Sequence, residues 1–182
     1  VSLAPPHFRT FDGTLYDSFL VGDLIMATSA PGTPDVAGFD VHARTAACLS
    51  GLASCIEAVG VWYRPPSGPD TVVTVVTEQV APAHTVYVNG NLLQTESYPA
   101  PQQGRRLSTT DVTVTRVTTT ETVIGFGWGG EVALRSRSLF VTVPPTLFDA
   151  VGGLLGDFDV TRPNDRQLPD GTVVDLAVAD DD

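Results

Sequence analysis

The chain has 182 residues, enough for one domain with a real core. Apolar residues make up 42% and charged residues only 17%, which argues against disorder. With 21 acidic and 10 basic residues and a net charge of −11, it has little with which to neutralise phosphates. That argues against nucleic acid and against docking on an anionic membrane, and leaves cations as compatible partners.

No apolar run approaches the length that a membrane-spanning helix needs, so no membrane insertion is expected. The first residues, VSLAPPHF, carry no signal-peptide pattern, and the chain reads as a mature or excised segment. It is read as a single domain over 1–182, with a core over about 5–176 and a tail over 177–182.

In chain order, Phe8, Thr10 and Asp12 alternate with Arg9 and Phe11, and YDSFLVGDLIMATS follows. Cys48 and Cys55 are the only cysteines, spaced C-x6-C, which is neither a metal knuckle nor a redox pair. Two readings compete, a local disulfide in an oxidising compartment or two free thiols; the small residues between them favour the disulfide. Ser54–Glu57 fits a capping box, but it runs into Val59-Gly60-Val61-Trp62-Tyr63, and the segment is read as a strand. Asp70–Val80 alternates with period two. In TVYVNGNLLQ, Asn89-Gly90 between apolar runs predicts a tight hairpin.

Asp111–Trp128 reads as one long strand with Val112, Val114, Arg116 and Thr118 on one face. Gly125–Gly130 lacks any phosphate-binding signature and reads as a bulged or tightly turning strand. Val132–Val143 is a further strand window. Thr146–Asp149 fits a capping box behind Pro144-Pro145 and predicts one short helix. Arg105-Arg106 reads as a solvated hairpin tip. These elements specify an all-β fold: an antiparallel two-sheet β-sandwich, or a partly closed barrel, with at most one short helix.

Acidic residues gather near the end, in GGLLGDFDVTRPNDRQLPDGT. Asp157, Asp159 and Thr161 sit at i, i+2 and i+4, the opening rhythm of oxygen-ligand loops for calcium, with Asn164 and Asp165 after a proline-stiffened bend. No sulfur or imidazole lies nearby, which disfavours zinc and copper. The loop departs from the EF-hand, and Asp, Asn, Pro and Gly are also what ordinary turns are made of. Taken alone, the loop leaves calcium and a solvated turn both open.

A second segment changes the balance. Pro6-His7-Phe8, Thr10-Phe11-Asp12-Gly13, and Tyr16 with Phe19 resemble the opening of a von Willebrand factor type D domain. Phe39–Arg44 looks like that family's Phe-x-Val-x-x-Arg strand, Val86–Gly90 like its Val-x-Val-Asn-Gly hairpin, and the acidic stretch like its closing Gly-Leu-Cys-Gly-Asn-Phe-Asp-Gly loop. The resemblance runs from about 5 to 173. It implies Ca2+ held by Asp12, Asp157, Asp159, the carbonyl of Thr161, Asn164 and Asp165, which would clamp the loop to a strand from the other end of the chain.

The departures carry information too. The family's Cys-Gly-Leu-Cys reads Gly152-Gly153-Leu154-Leu155, so thiol exchange there is not expected. A strand position often held by Cys is Asp23. The Gly-Asp-Pro-His self-cleavage motif reads Ala4-Pro5-Pro6-His7, so autoproteolysis is not expected.

His7, His42 and His84 lie far apart with no nucleophile motif beside them, and no enzyme activity is expected. The resulting expectation is a calcium-stabilised, extracellular structural or adhesive module of a larger secreted or cell-surface protein. Its partners would be other modules of that protein, or extracellular proteins and glycans. The rival is a carbohydrate-binding β-sandwich with structural calcium, which requires Trp62 or Trp128 to lie flat in a groove.

Overall fold

Val alternating with Thr suits a pleated surface buried on one side, because each β-branched side chain fills its row and successive ones face opposite ways. The computed structural model describes residues 7–17, 20–29, 37–48, 53–78, 83–93, 106–108 and 111–156. Among these it contains fourteen strands, β1 (His7–Arg9), β2 (Leu15–Asp17), β3 (Gly22–Ser29), β4 (Gly38–Cys48), β5 (Ala53–Arg64), β6 (Thr71–Thr77), β7 (His84–Val88), β8 (Asn91–Leu92), β9 (Arg106–Ser108), β10 (Val112–Thr118), β11 (Glu121–Phe126), β12 (Glu131–Arg135), β13 (Ser138–Thr142) and β14 (Val151–Gly152).

Every pairing is antiparallel. A seven-stranded sheet has the order β14-β3-β4-β5-β6-β7-β8, a five-stranded sheet the order β13-β12-β11-β10-β9, and β1-β2 is a separate hairpin. The two large sheets share one core. Val41, Val59, Val61, Val73 and Val75 from the first meet Val112, Val114, Ile124, Val132 and Leu134 from the second. Tyr63 stacks on Phe126 across them, with ring centroids 5.5 Å apart. The fold is the expected all-β, two-sheet sandwich.

The Asn89-Gly90 hairpin forms as expected, joining β7 to β8 with both turn residues at positive φ (50° and 76°). Ser54–Glu57 is strand, as read, within β5.

Four expectations change. The window 111–128 is not one strand but the hairpin β10–β11, turning at Thr119-Thr120. That turn lacks Gly or Asn and is held from outside instead. The Thr119 carbonyl accepts from the His84 N–H (2.8 Å), the Thr120 carbonyl from the Ser136 N–H (2.6 Å), and the Thr118 hydroxyl from the Thr120 N–H (3.2 Å). Val132–Val143 is likewise a hairpin, β12–β13, with Ser136 at φ 54° in its turn. The expected capped helix over Thr146–Asp149 is a single 3-10 turn, Pro145–Leu147, with Pro144 at the N-cap position and no side-chain cap. Pro144 and Pro145 take the start of the turn, so Thr146 lies inside it and not at its N-cap. Arg106 is no hairpin tip either, since it pairs with Thr115 in β9.

Candidate functional site

The two ends of the described chain meet at one place. Thr10–Thr14 folds into a tight turn. The Thr10 N–H donates to the Thr14 carbonyl (3.0 Å), the Gly13 N–H to the Thr10 carbonyl (3.1 Å), and the Thr14 N–H to the buried Thr10 hydroxyl (2.9 Å). Gly13 sits at φ 86°, and Asp12 occupies the tip, half-buried.

The second partner is the segment Gly152–Gly156. β3 carries an irregularity at Met26, where the register with β4 shifts between Ile25 and Ala27. This frees carbonyls toward the neighbouring segment. The Leu154 N–H donates to the Ile25 carbonyl (3.0 Å) and the Leu155 N–H to the Met26 carbonyl (2.9 Å). Gly153 makes that approach possible. Its φ is 122°, and a Cβ there would lie 2.8 Å from the Met26 oxygen.

The Leu155 carbonyl then accepts from the Phe11 N–H at 2.8 Å. Asp12, the residue after Phe11, is thereby brought beside the segment that runs into Asp157. Asp157, Asp159, Thr161, Asn164 and Asp165 lie outside the described residues. Asp12 is the one expected calcium ligand among the described residues, which contain no cluster of three or more His, Cys, Asp or Glu side chains that could hold a metal. The donors expected at this junction are all oxygens, the set a hard dication takes.

The cysteines are joined, Cys48 Sγ to Cys55 Sγ at 2.09 Å, with Cα atoms 5.8 Å apart. Register explains why they meet: β4 and β5 pair Ala46 with Cys55 and Cys48 with Ala53, so the two cysteines are diagonal neighbours at the end of a hairpin. A cleft of about 240 Å³ opens beside the bond, lined also by Ile56, Glu57, Thr77 and Arg137. Both cysteines of the chain are consumed, which leaves no thiol for a covalent link between chains. Asp23, at the position where Cys was noted as usual, makes a bidentate pair with Arg44 across β3 and β4 (2.7 and 2.9 Å).

The two tryptophans part company. Trp128 is partly buried and packs against the core, stacked on Phe126 at 5.1 Å and tilted against Phe39 at 5.2 Å. Trp62 is 41% exposed on the outer face of the seven-stranded sheet. Its Nε1–H donates to Asp70 (2.9 Å), and the Arg64 guanidinium lies 4.2 Å from its ring centroid.

Among the histidines, His42 is exposed on β4, and the side chain of His7 lies outside the described residues. His84 is not in a loop, as its Pro-Ala-His context suggests, but opens β7, buried between the sheets. Its Nε2–H donates to the Ser136 carbonyl (3.0 Å), a pure acceptor, so Nδ1 accepts from the Thr122 hydroxyl (3.1 Å). Burial holds its pKa below the usual imidazole value, with a nearby Arg116 adding to the effect and the Ser136 bond opposing it. It is a strut between the sheets.

A family model of the von Willebrand factor type D domain matches residues 4–172. This chain belongs to that family. The match takes in both halves of the junction, the Asp12 turn and the whole acidic loop. Type D domains are structural and adhesive modules found in extracellular proteins, and the disulfide agrees with an oxidising compartment. No match is found among curated proteins. What sequence reasoning missed at the junction is the backbone clasp itself. Amide and carbonyl groups carry no residue-type signal, and only Gly153 marks where the close approach occurs.

Proposed function

We propose that this type D domain is a calcium-stabilised structural or adhesive module of a secreted or cell-surface protein. It would engage neighbouring modules of that protein, or extracellular proteins and glycans. Calcium would be held by Asp12, Asp157, Asp159, the Thr161 carbonyl, Asn164 and Asp165. The observation that carries this reading is the 2.8 Å bond from the Phe11 N–H to the Leu155 carbonyl, which sets Asp12 beside the start of the acidic loop. Four carboxylates drawn to one place repel one another unless a cation joins them, and a chain of net charge −11 has few cations of its own to offer. The bound ion would therefore tie the loop to the Thr10–Thr14 turn.

Extracellular calcium modules bind with dissociation constants of about 10⁻⁴–10⁻³ M, so millimolar calcium adds roughly 0.4–1.4 kcal/mol by mass action. The melting temperature is expected to rise with calcium and fall with chelator. Asp159→Ala and Asp12→Ala abolish the shift, while Asp170→Ala, outside the ligand set, keeps it. A wild-type melting curve indifferent to calcium overturns the reading.

The carbohydrate-binding alternative needs an open aromatic ring face. Trp128 has a ring face stacked on Phe126, and Arg64 occupies one side of Trp62, so the structural module is the better supported reading.

A further inference from the structure

The β4–β5 hairpin outruns its neighbours. β3 pairs with β4 only as far as Thr45, opposite Gly22, and β6 pairs with β5 only as far as Ala58, opposite Val76. Past Thr45 come Ala46 with Cys55, Ala47 with Ser54 and Cys48 with Ala53, and among the described residues no third strand flanks these pairs. A register shift between Arg44 and Thr45 separates this tip from the rest of the ladder. Its side chains are small, so little apolar area holds it down: Ala53 and Ser54 are buried, Ala46 is half-buried and Ala47 is exposed. A ribbon of two strands is marginal by itself in water, and here the Cys48–Cys55 bond ties it.

That bond can be reached. Both cysteines are half-buried, and both line the cleft of about 240 Å³, room for a small molecule beside the sulfurs. Glu57 and Arg137 put one charge of each sign on its walls, within a molecule of net charge −11, which favours an uncharged reagent over an anionic one.

We propose that the Cys48–Cys55 bond is a modification site, exchanged in the folded state by low-molecular-mass thiols that enter this cleft, and that its reduction loosens the β4–β5 tip while the sandwich stays intact. A thiolate attacks one Sγ. A new bond forms between the two sulfurs as the Cys48–Cys55 bond breaks, and the electron pair leaves on the other Sγ, which takes a proton from water. A second thiol attacks the mixed disulfide. Two external thiols are thus oxidised to one disulfide as the two cysteines are reduced. The strands remain paired on average. What changes is the cost of opening them, because the cross-link no longer limits the freedom of the opened tip. None of this depends on calcium at the junction.

The test mixes native protein with 2-mercaptoethanol, a neutral monothiol, quenches by alkylation and follows intact mass. The rate of bond loss is expected to rise in proportion to thiol concentration, to stay nearly constant in sub-denaturing urea, and to pass through an adduct of one thiol. Ala46→Phe, on the cleft wall opposite Cys55, is expected to slow it at least about tenfold with the melting temperature close to wild type. In protein held reduced by dithiothreitol, hydrogen exchange of the amides over 46–48 and 53–56 is expected to quicken at least about tenfold, while β6 and β7 keep their protection. A bond lost only as fast as the whole domain unfolds, with the same steep urea dependence, overturns the proposal. So does an Ala46→Phe variant reduced at the wild-type rate. So does exchange that is unchanged at the tip, or that quickens equally in β6 and β7.

Discussion

At Gly153 the backbone runs where a side chain has no room. Its φ of 122° is a region that residues with a Cβ rarely enter, and the added carbon would press on the Met26 carbonyl, a backbone atom that cannot swing aside. Gly153→Ala is therefore expected to cost about 2–4 kcal/mol, read as a lower urea midpoint. Gly152→Ala, where a Cβ would meet nothing within 4 Å, is expected to cost under about 1 kcal/mol. Equal effects at the two positions would show that the close approach is not what Gly153 supplies.

His84 gives a pH dependence with a definite sign. Its pKa is lowered in the fold, so the unfolded chain binds the proton more readily. Its contribution is complete above the unfolded imidazole value of about 6.5 and is lost as pH falls from there toward the lower folded value. Stability from urea melts should drop between pH 7 and pH 5.5, with a slope no steeper than about 1.4 kcal/mol per pH unit from this one proton. His84→Gln should be less stable at pH 7 but show a flatter profile across that window. A variant profile parallel to wild type would assign the slope to other groups.

The β4–β5 hairpin is the element on which the seven-stranded sheet is built, paired from Gly38 opposite Arg64 to Cys48 opposite Ala53 with one register shift between Arg44 and Thr45. Because the strands are already aligned, the disulfide acts mainly on the unfolded chain. A loop this short is worth about 2–3 kcal/mol by the chain-entropy argument. The double variant Cys48→Ala/Cys55→Ala is expected to lose about that much while keeping its far-ultraviolet spectrum. In the wild type, alkylation should label neither cysteine until a reductant is added, as intact mass will show. The cleft beside the bond gives small thiols a path, so unfolding should not be needed for reduction.

Elements differ in how openly the sequence displays them. β6 and the Asn89-Gly90 hairpin were legible because period-two alternation and a turn needing two positive φ angles have residue-level signatures. The turns at Thr119-Thr120 and Ser136 were not, because tertiary hydrogen bonds hold them: a Thr-Thr pair between two Val-rich runs looks like more strand. The capping box at Thr146 failed for the opposite reason. Its local pattern was right, but two prolines had already taken the start of the turn.

For the whole molecule, strand content, hairpin signals and scarce helix patterns sufficed for an all-β fold, a sandwich or partly closed barrel, since such faces are buried by layering sheets or closing one on itself. The candidate site was legible only as residue types at both ends of the chain. That Asp12 and the closing loop belong together came from the family resemblance. The contact that joins them is made by backbone atoms and by the Met26 irregularity in β3, which alternation cannot reveal.

That clasp has a mechanical meaning. Tension entering through the segments before Phe11 and after Leu155 would meet at two points already joined by one hydrogen bond. The load path would cross the clasp and the few bonds from Leu154 and Leu155 to β3, bypassing the long ladders of β4, β5 and β6. The sandwich would stay shielded while the clasp held. A cation bridging Asp12 to the acidic loop would sit directly on that path, so its concentration outside the cell would set the force at which the domain begins to open.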